Sequence, residues 1–133
     1  MTLTDDGKES VQAKLERLVS LGYVLHGSPM KVEILLPQEP PHVGGGRSGL
    51  CPAGVYVTTK PRLAMFYAAV RGNNAGRGYI YVCPPEPFTA RSLIELYSPV
   101  AVKPSLVIPV DRHDFAGGKT IFEAINDVLV GRY

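Results

Sequence analysis

The chain lacks tryptophan, has only two cysteines and contains no long apolar run. Cys51 and Cys83 form neither a CxxC pair nor another metal-ligand spacing, so neither a disulfide framework nor a thiolate zinc site organises it. No apolar stretch approaches the roughly 18 residues needed to span a bilayer. The opening MTLTDDGKES is acidic and polar, unlike a secretory leader. A cytoplasmic, reduced protein is the expectation, and delivery as an effector by a specialised route is compatible with it. An excess of one charge is missing too: 14 Lys and Arg stand against 12 Asp and Glu, a net charge of +2. Arg71, Arg77, Arg91 and Lys103 are scattered, so composition points to no nucleic-acid or membrane partner.

What is present suits one globular domain over residues 1–133. The chain is 45% apolar, and 133 residues are enough to bury a core without staples. The order of elements is read from periodicity. Residues 5–20 form a helix, with Val11, Leu15, Leu18 and Val19 at helical spacing and Gly22 just past its end. A strand follows from Tyr23 to His26, and MKVEILLP is a short helix or turn. QEPPHVGGGRSGLCPA, from Gln38 to Ala53, is the longest loop, of a length that is often functional in a small domain.

GVYVTT is a strand, and Thr59 is placed to cap a helix with Pro61 in its first turn. That helix, KPRLAMFYAAVR, carries Leu63, Phe66, Tyr67 and Val70 on one face. In the strand YIYVCP, Tyr79 and Tyr81 face one side while Ile80 and Val82 face the other. SLIELYS, VAVKP and LVIPV are three short strands. KTIFEAINDVLVGR closes the chain as an amphipathic helix with Ile121, Ile125, Val128 and Leu129 inward. Strands bunch rather than alternate with helices, which makes the class α+β.

Several motifs fail on context. GGGRSG, Gly44 to Gly49, has the G-x-G-x-x-G spacing, but EPPHV precedes it and a strand rather than a helix follows. His26, His42 and His113 lie on unrelated elements, so no metal site is expected. His26 and Ser28 share a strand face without a nucleophile elbow, which gives a serine hydrolase little support.

Three pieces survive: His26-Gly27-Ser28 on the first strand, Tyr56 and Tyr67 eleven residues apart, and Glu95 on a later strand. Together, "LHGS … GVYVTTKPRLAMFYA … IEL" resembles the ADP-ribosyltransferase superfamily. The branch is the His-Tyr-Glu one of diphtheria-toxin-like enzymes and poly(ADP-ribose) polymerases. GRGYIYVCPPEP is also similar to a stretch of the small rifamycin ADP-ribosyltransferases. The resemblance covers about residues 23–110. It implies a compact fold of two small, mainly antiparallel sheets flanked by helices around an NAD cleft.

The resemblance also implies roles. NAD+ serves as co-substrate, an N-glycoside cleaved through an oxocarbenium-like centre. Gly27 offers its backbone N–H and C=O to the nicotinamide amide, and Tyr56 and Tyr67 sandwich the ring. His26 holds a ribose hydroxyl of the adenosine half, and Ser28 a neighbouring hydroxyl or the amide. Glu95 accepts the 2′-OH of the nicotinamide ribose and stabilises developing positive charge. The catalytic set is thus His26, Tyr56 and Glu95, and the NAD-binding set His26, Gly27, Ser28, Tyr56 and Tyr67. Glu86 competes with Glu95 for the acidic role. Two residues before Glu95 stands Leu93, where arginine-modifying enzymes carry an acid or amide, which disfavours arginine as acceptor. PFTARS replaces an acidic stretch of the rifamycin enzymes and disfavours rifamycin.

The expected activity is mono-ADP-ribosyl transfer to an acceptor of undetermined class: small molecule, protein or nucleic acid. The alternatives are an NAD+ glycohydrolase, an RNA 2′-phosphotransferase-like enzyme and a non-catalytic NAD or ADP-ribose-binding module. Were the chain a toxin, a cognate inhibitor protein would be a further partner.

Overall fold

The computed structural model describes residues 9–38, 53–71 and 73–133. In chain order the elements are α1 (Val11–Ser20), β1 (Val24–Ser28), β2 (Val55–Val57), α2 (Pro61–Ala69), β3 (Arg77–Cys83), β4 (Thr89–Ala90), β5 (Leu96–Ser98), β6 (Leu106–Asp111), α3 (Arg112–Ala116) and α4 (Ile121–Leu129). Two three-stranded sheets form, one ordered β1-β3-β6 and the other β2-β5-β4. Every strand pair within them is antiparallel. The α+β class agrees with the bunching of strands in the sequence, and the two small antiparallel sheets with what the resemblance implied.

Side-chain alternation gives the first sheet two unlike faces. Leu25, Ile80, Val82, Ile108 and Val110 turn toward the helices and join Leu15, Leu18, Ala64, Ala68 and Phe115 in one core. Val24, Tyr81 and Cys83 turn the other way and meet Val55 and Val57 of the second sheet in another. In that second core, burial pushes the Cys83 thiol up to about 12, so it packs as a small apolar group. Tyr81 is fully buried, yet its hydroxyl is satisfied: it donates to the Met30 carbonyl and accepts from Val32 N–H, each at 2.7 Å. This tyrosine pins the chain leaving β1 against the sheet.

Helix α2 lies unusually close to that sheet. A methyl on Gly27 would sit 2.0 Å from the Ala64 carbonyl oxygen, and one on Gly78 would sit 2.1 Å from that of Ala68. Two bare strand positions beneath two alanines one helical turn apart therefore let the helix settle on β1 and β3.

Among the described residues, one backbone pair stitches β1 to the segment of β2. Leu25 and Thr58 exchange both backbone bonds, at 2.9 and 2.8 Å, joining β1 to β2. Farther along, Gln38 and Gly54 exchange a second pair at 3.0 Å. The GGGRSG motif, His42 and Cys51 lie outside the described residues, as does the start of the expected first helix.

Several local expectations are corrected. Helix α1 begins at Val11, where the Ser10 hydroxyl accepts Ala13 N–H. Strand β1 runs Val24–Ser28 because its pairing with β3 continues to Ser28 opposite Tyr79. Of the helix or turn expected for MKVEILLP, no helix forms: the chain bends at Glu33 and Ile34, Leu35 bridges Val102, and Met30, Val32, Ile34 and Leu36 are exposed. Lys60, not Thr59, occupies the N-cap of α2, since the residue before Pro61 must be extended and Thr58 is held by Leu25. VAVKP contributes only the Val102 bridge, lying in a short stretch between Pro99 and Pro104. Leu129 is 70% exposed rather than inward, and Ala124 and Asp127 take the buried side of α4 with Val128. Strand β4 and helix α3 were not legible in the periodicity. The latter is set by a capping box in which Asp111 and Asp114 bind each other's backbone N–H.

Candidate functional site

His26 controls how the two sheets part. In a continuing ladder, the pair after Leu25–Thr58 would be Gly27 opposite Tyr56, with the Tyr56 carbonyl accepting Gly27 N–H. Instead the imidazole takes that carbonyl, with Nδ1 2.7 Å from it. A carbonyl only accepts, so Nδ1 carries the proton and Nε2 of the neutral ring is a bare acceptor. Burial lowers the His26 pKa below the ordinary histidine value, and the bond to Tyr56 only partly opposes this. The ring thus stands neutral at pH 7, oriented by a backbone acceptor on one side and by the Tyr81 ring 6.0 Å away on another.

The parting leaves Gly27 at an edge. Backbone groups alternate along β1, so Gly27 points its N–H and C=O the way Leu25 does, away from β3 and toward β2. The pairing on the far side of β3 agrees: the Val82 carbonyl accepts Ser105 N–H at 2.7 Å, so Val82 and Ile80 turn their polar groups from β1. Gly27 therefore has two distinct constraints. Its missing side chain is demanded by α2, and its polar groups face the gap between the sheets.

Across the gap stands an aromatic pair. Tyr56 of β2 and Tyr97 of β5 are opposite in register and stacked, with centroids 5.8 Å apart and planes 24° from parallel. The Arg91 guanidinium lies 5.9 Å from the Tyr56 ring centre and 5.6 Å from that of Tyr97. Its Nε is 4.0 Å from a carboxylate oxygen of Glu95. A tight turn fixes this arrangement. The Glu95 carbonyl accepts Arg91 and Ser92 N–H at 2.8 and 3.1 Å, while the Ser92 hydroxyl accepts Glu95 N–H at 3.2 Å. Tyr56 and Glu95, 39 residues apart in the sequence, are thus joined through one arginine.

The pairing of Leu25 with Thr58 puts Tyr56 on the side of the sheet that α2 covers. Tyr67 of α2 is on that side as well. Its own neighbours are the Phe66 ring at 5.8 Å and the Arg71 guanidinium at 5.2 Å. Ser28 shares the His26 face, and its hydroxyl accepts Met30 N–H at 3.1 Å, turning the chain out of β1. Glu86 is exposed on the turn between β3 and β4. The structure therefore links His26 to the Tyr56 carbonyl and Glu95 to the Tyr56 ring through Arg91, beside the edge at Gly27. Ser28 lies on the His26 face, Tyr67 packs on Phe66 and Arg71 rather than on Tyr56, and Glu86 stands outside.

Tyr97 and Arg91 were not singled out as site residues in the sequence. The expected strand SLIELYS is corrected, since β5 begins at Leu96 and Glu95 closes the preceding turn. The signal for Tyr97 was its place two residues beyond Glu95 in that segment. Two depressions among the described residues lie elsewhere, and neither is lined by His26, Tyr56 or Glu95. The larger, of about 450 Å³, opens beside Arg77, Tyr79, Asp111 and Asp114. No protein-family model, curated protein or solved structure matches the chain.

Proposed function

We propose that the parting of the two sheets is an NAD+ site and that the chain is a mono-ADP-ribosyltransferase. The observation that supports this most is the imidazole of His26 on the Tyr56 carbonyl, which leaves Gly27 as an edge residue whose N–H and C=O point toward the gap rather than into a ladder. A primary amide such as that of nicotinamide carries both complementary groups. Tyr56 offers a ring face to the flat heterocycle, and Tyr67 lies on the same side of the sheet. Nε2 of His26 is left to accept a ribose hydroxyl, and the Ser28 hydroxyl retains a proton to donate.

In the proposed reaction the bond between the ribose anomeric carbon and the nicotinamide nitrogen breaks, and its electron pair neutralises the departing ring. Glu95 accepts the adjacent 2′-OH and stabilises the positive charge that builds on the ribose. The acceptor attacks the anomeric carbon and loses its proton. Glu95 suits this role better than Glu86, because Arg91 ties Glu95 to the Tyr56 ring while Glu86 stands in solvent. The Glu95 side chain is 41% exposed, which favours water as an acceptor and makes NAD+ hydrolysis the second reading.

Incubation with NAD+ followed by mass detection of nicotinamide and ADP-ribose tests both readings. Wild type is expected to release nicotinamide. Glu95→Gln is expected to do so about 10²–10³-fold more slowly, the usual effect of losing one preorganised electrostatic partner. Equal amounts of free ADP-ribose and nicotinamide would mark hydrolysis. Undiminished release from Glu95→Gln would remove Glu95 from the mechanism.

A further inference from the structure

Arg91 occupies the two groups that a cationic ring in this site would need. Its guanidinium is planar and positively charged, and it lies over Tyr56 and Tyr97 while meeting the Glu95 carboxylate. The nicotinamide ring of NAD+ is also planar and positively charged while bonded to ribose. An aromatic face and a carboxylate attract either cation by the same physics. The turn from Arg91 to Glu95 holds the arginine there through backbone bonds to the Glu95 carbonyl, so the contact is built into the chain.

We infer that Arg91 is a specificity-determining residue: an internal cation that competes with the nicotinamide ring for Tyr56 and Glu95. The inference rests on the NAD+ reading above. Binding must displace the guanidinium, so the nicotinamide half alone binds weakly and contacts to the rest of NAD+ drive entry. After the glycosidic bond breaks, nicotinamide is neutral and no longer matches the cation. Arg91 then returns to the tyrosine face and assists product departure.

The sign of one substitution decides the matter. Arg91→Ala is expected to lower KM for NAD+ about two- to five-fold, the range corresponding to one exposed cation–π contact, with kcat changing less than KM. The inhibition constant of free nicotinamide is expected to fall in parallel. Arg91→Lys, which keeps the charge and loses the planar group, should lie between. Tighter binding cannot arise from general loss of structure, and unfolding curves of each variant check that the fold persists. A KM that rises would make Arg91 a ligand for the substrate's phosphates and overturn the inference, as would an unchanged KM. In either case turnover by the wild type leaves the NAD+ reading standing. Absence of both NAD+ binding and nicotinamide release in the wild type would overturn the two together.

Discussion

At Gly27 a single methyl group would meet the Ala64 carbonyl oxygen at 2.0 Å, and backbone cannot swing aside as a side chain can. Gly27→Ala is therefore expected to destabilise the fold by about 3 kcal/mol, at the upper end of ordinary overpacking. Urea unfolding measures this without any ligand. His26 makes the other residue-scale prediction. Its folded pKa is lowered, so the unfolded chain takes up the proton first as pH falls. The contribution is complete above the ordinary histidine value of about 6.5 and declines as pH falls from there through the folded value. Wild type should lose stability between pH 7 and 5 relative to its own value at pH 8, and His26→Gln should show a shallower decline. Equal slopes for the two would contradict the neutral, Nδ1-protonated ring. The sequence made His26 and Gly27 visible as a pair. It did not show that α2 demands the glycine, because the Ala64 contact spans 37 residues and has no local signature.

At the scale of elements, α1, α2 and α4 were legible from their apolar spacing, whereas the cap of α2, the inward side of α4 at Leu129 and the whole of α3 were not. Thr120 opens α4 with a capping box, its hydroxyl accepting Glu123 N–H at 3.1 Å while the Glu123 carboxylate accepts Thr120 N–H at 3.2 Å. Thr120→Ala is expected to cost about 1 kcal/mol in thermal or urea unfolding. A loss below a few tenths would mean that α4 is held by packing alone. Farther along the same helix, Asp127 ties Lys119 at 2.5 Å and Arg132 at 3.4 Å, and the contact with Lys119 holds its carboxyl below the usual range. This clamp explains why a charged residue sits on the buried side of α4 where the stripe pointed to Leu129 instead. The short strands were less legible. Thr89–Ala90 has too few residues to show a period, and its pairing with β5 is set by the partner. The Tyr56–Tyr97 stack arises the same way, from a register that neither segment specifies alone.

For the whole molecule, the organising feature is a pair of sheets stitched at Leu25–Thr58 and parted immediately afterwards. The stitch joins the helix-backed sheet to the smaller one, and the parting supplies an edge of backbone polar groups beside two stacked tyrosines. The α+β class followed from hydrophobic period and turn residues, and so did the order of the longer elements, without β4 and α3. The parting did not, since it depends on one imidazole displacing one ladder bond. Among the described residues, no helix is long and apolar enough to cross a membrane. The proposed reaction uses the edge and the tyrosines in one place, with Glu95 brought to them by the turn that begins at Arg91.

The most direct measurement is the amide resonance of Gly27 in ¹⁵N-labelled wild-type protein during titration with nicotinamide, which binds without being consumed. The account predicts a saturable shift at Gly27, with smaller changes at Tyr56 and Glu95 and none at the remote Gly22 and Gly131. Saturable binding that shifts other amides and leaves Gly27 unmoved would contradict it.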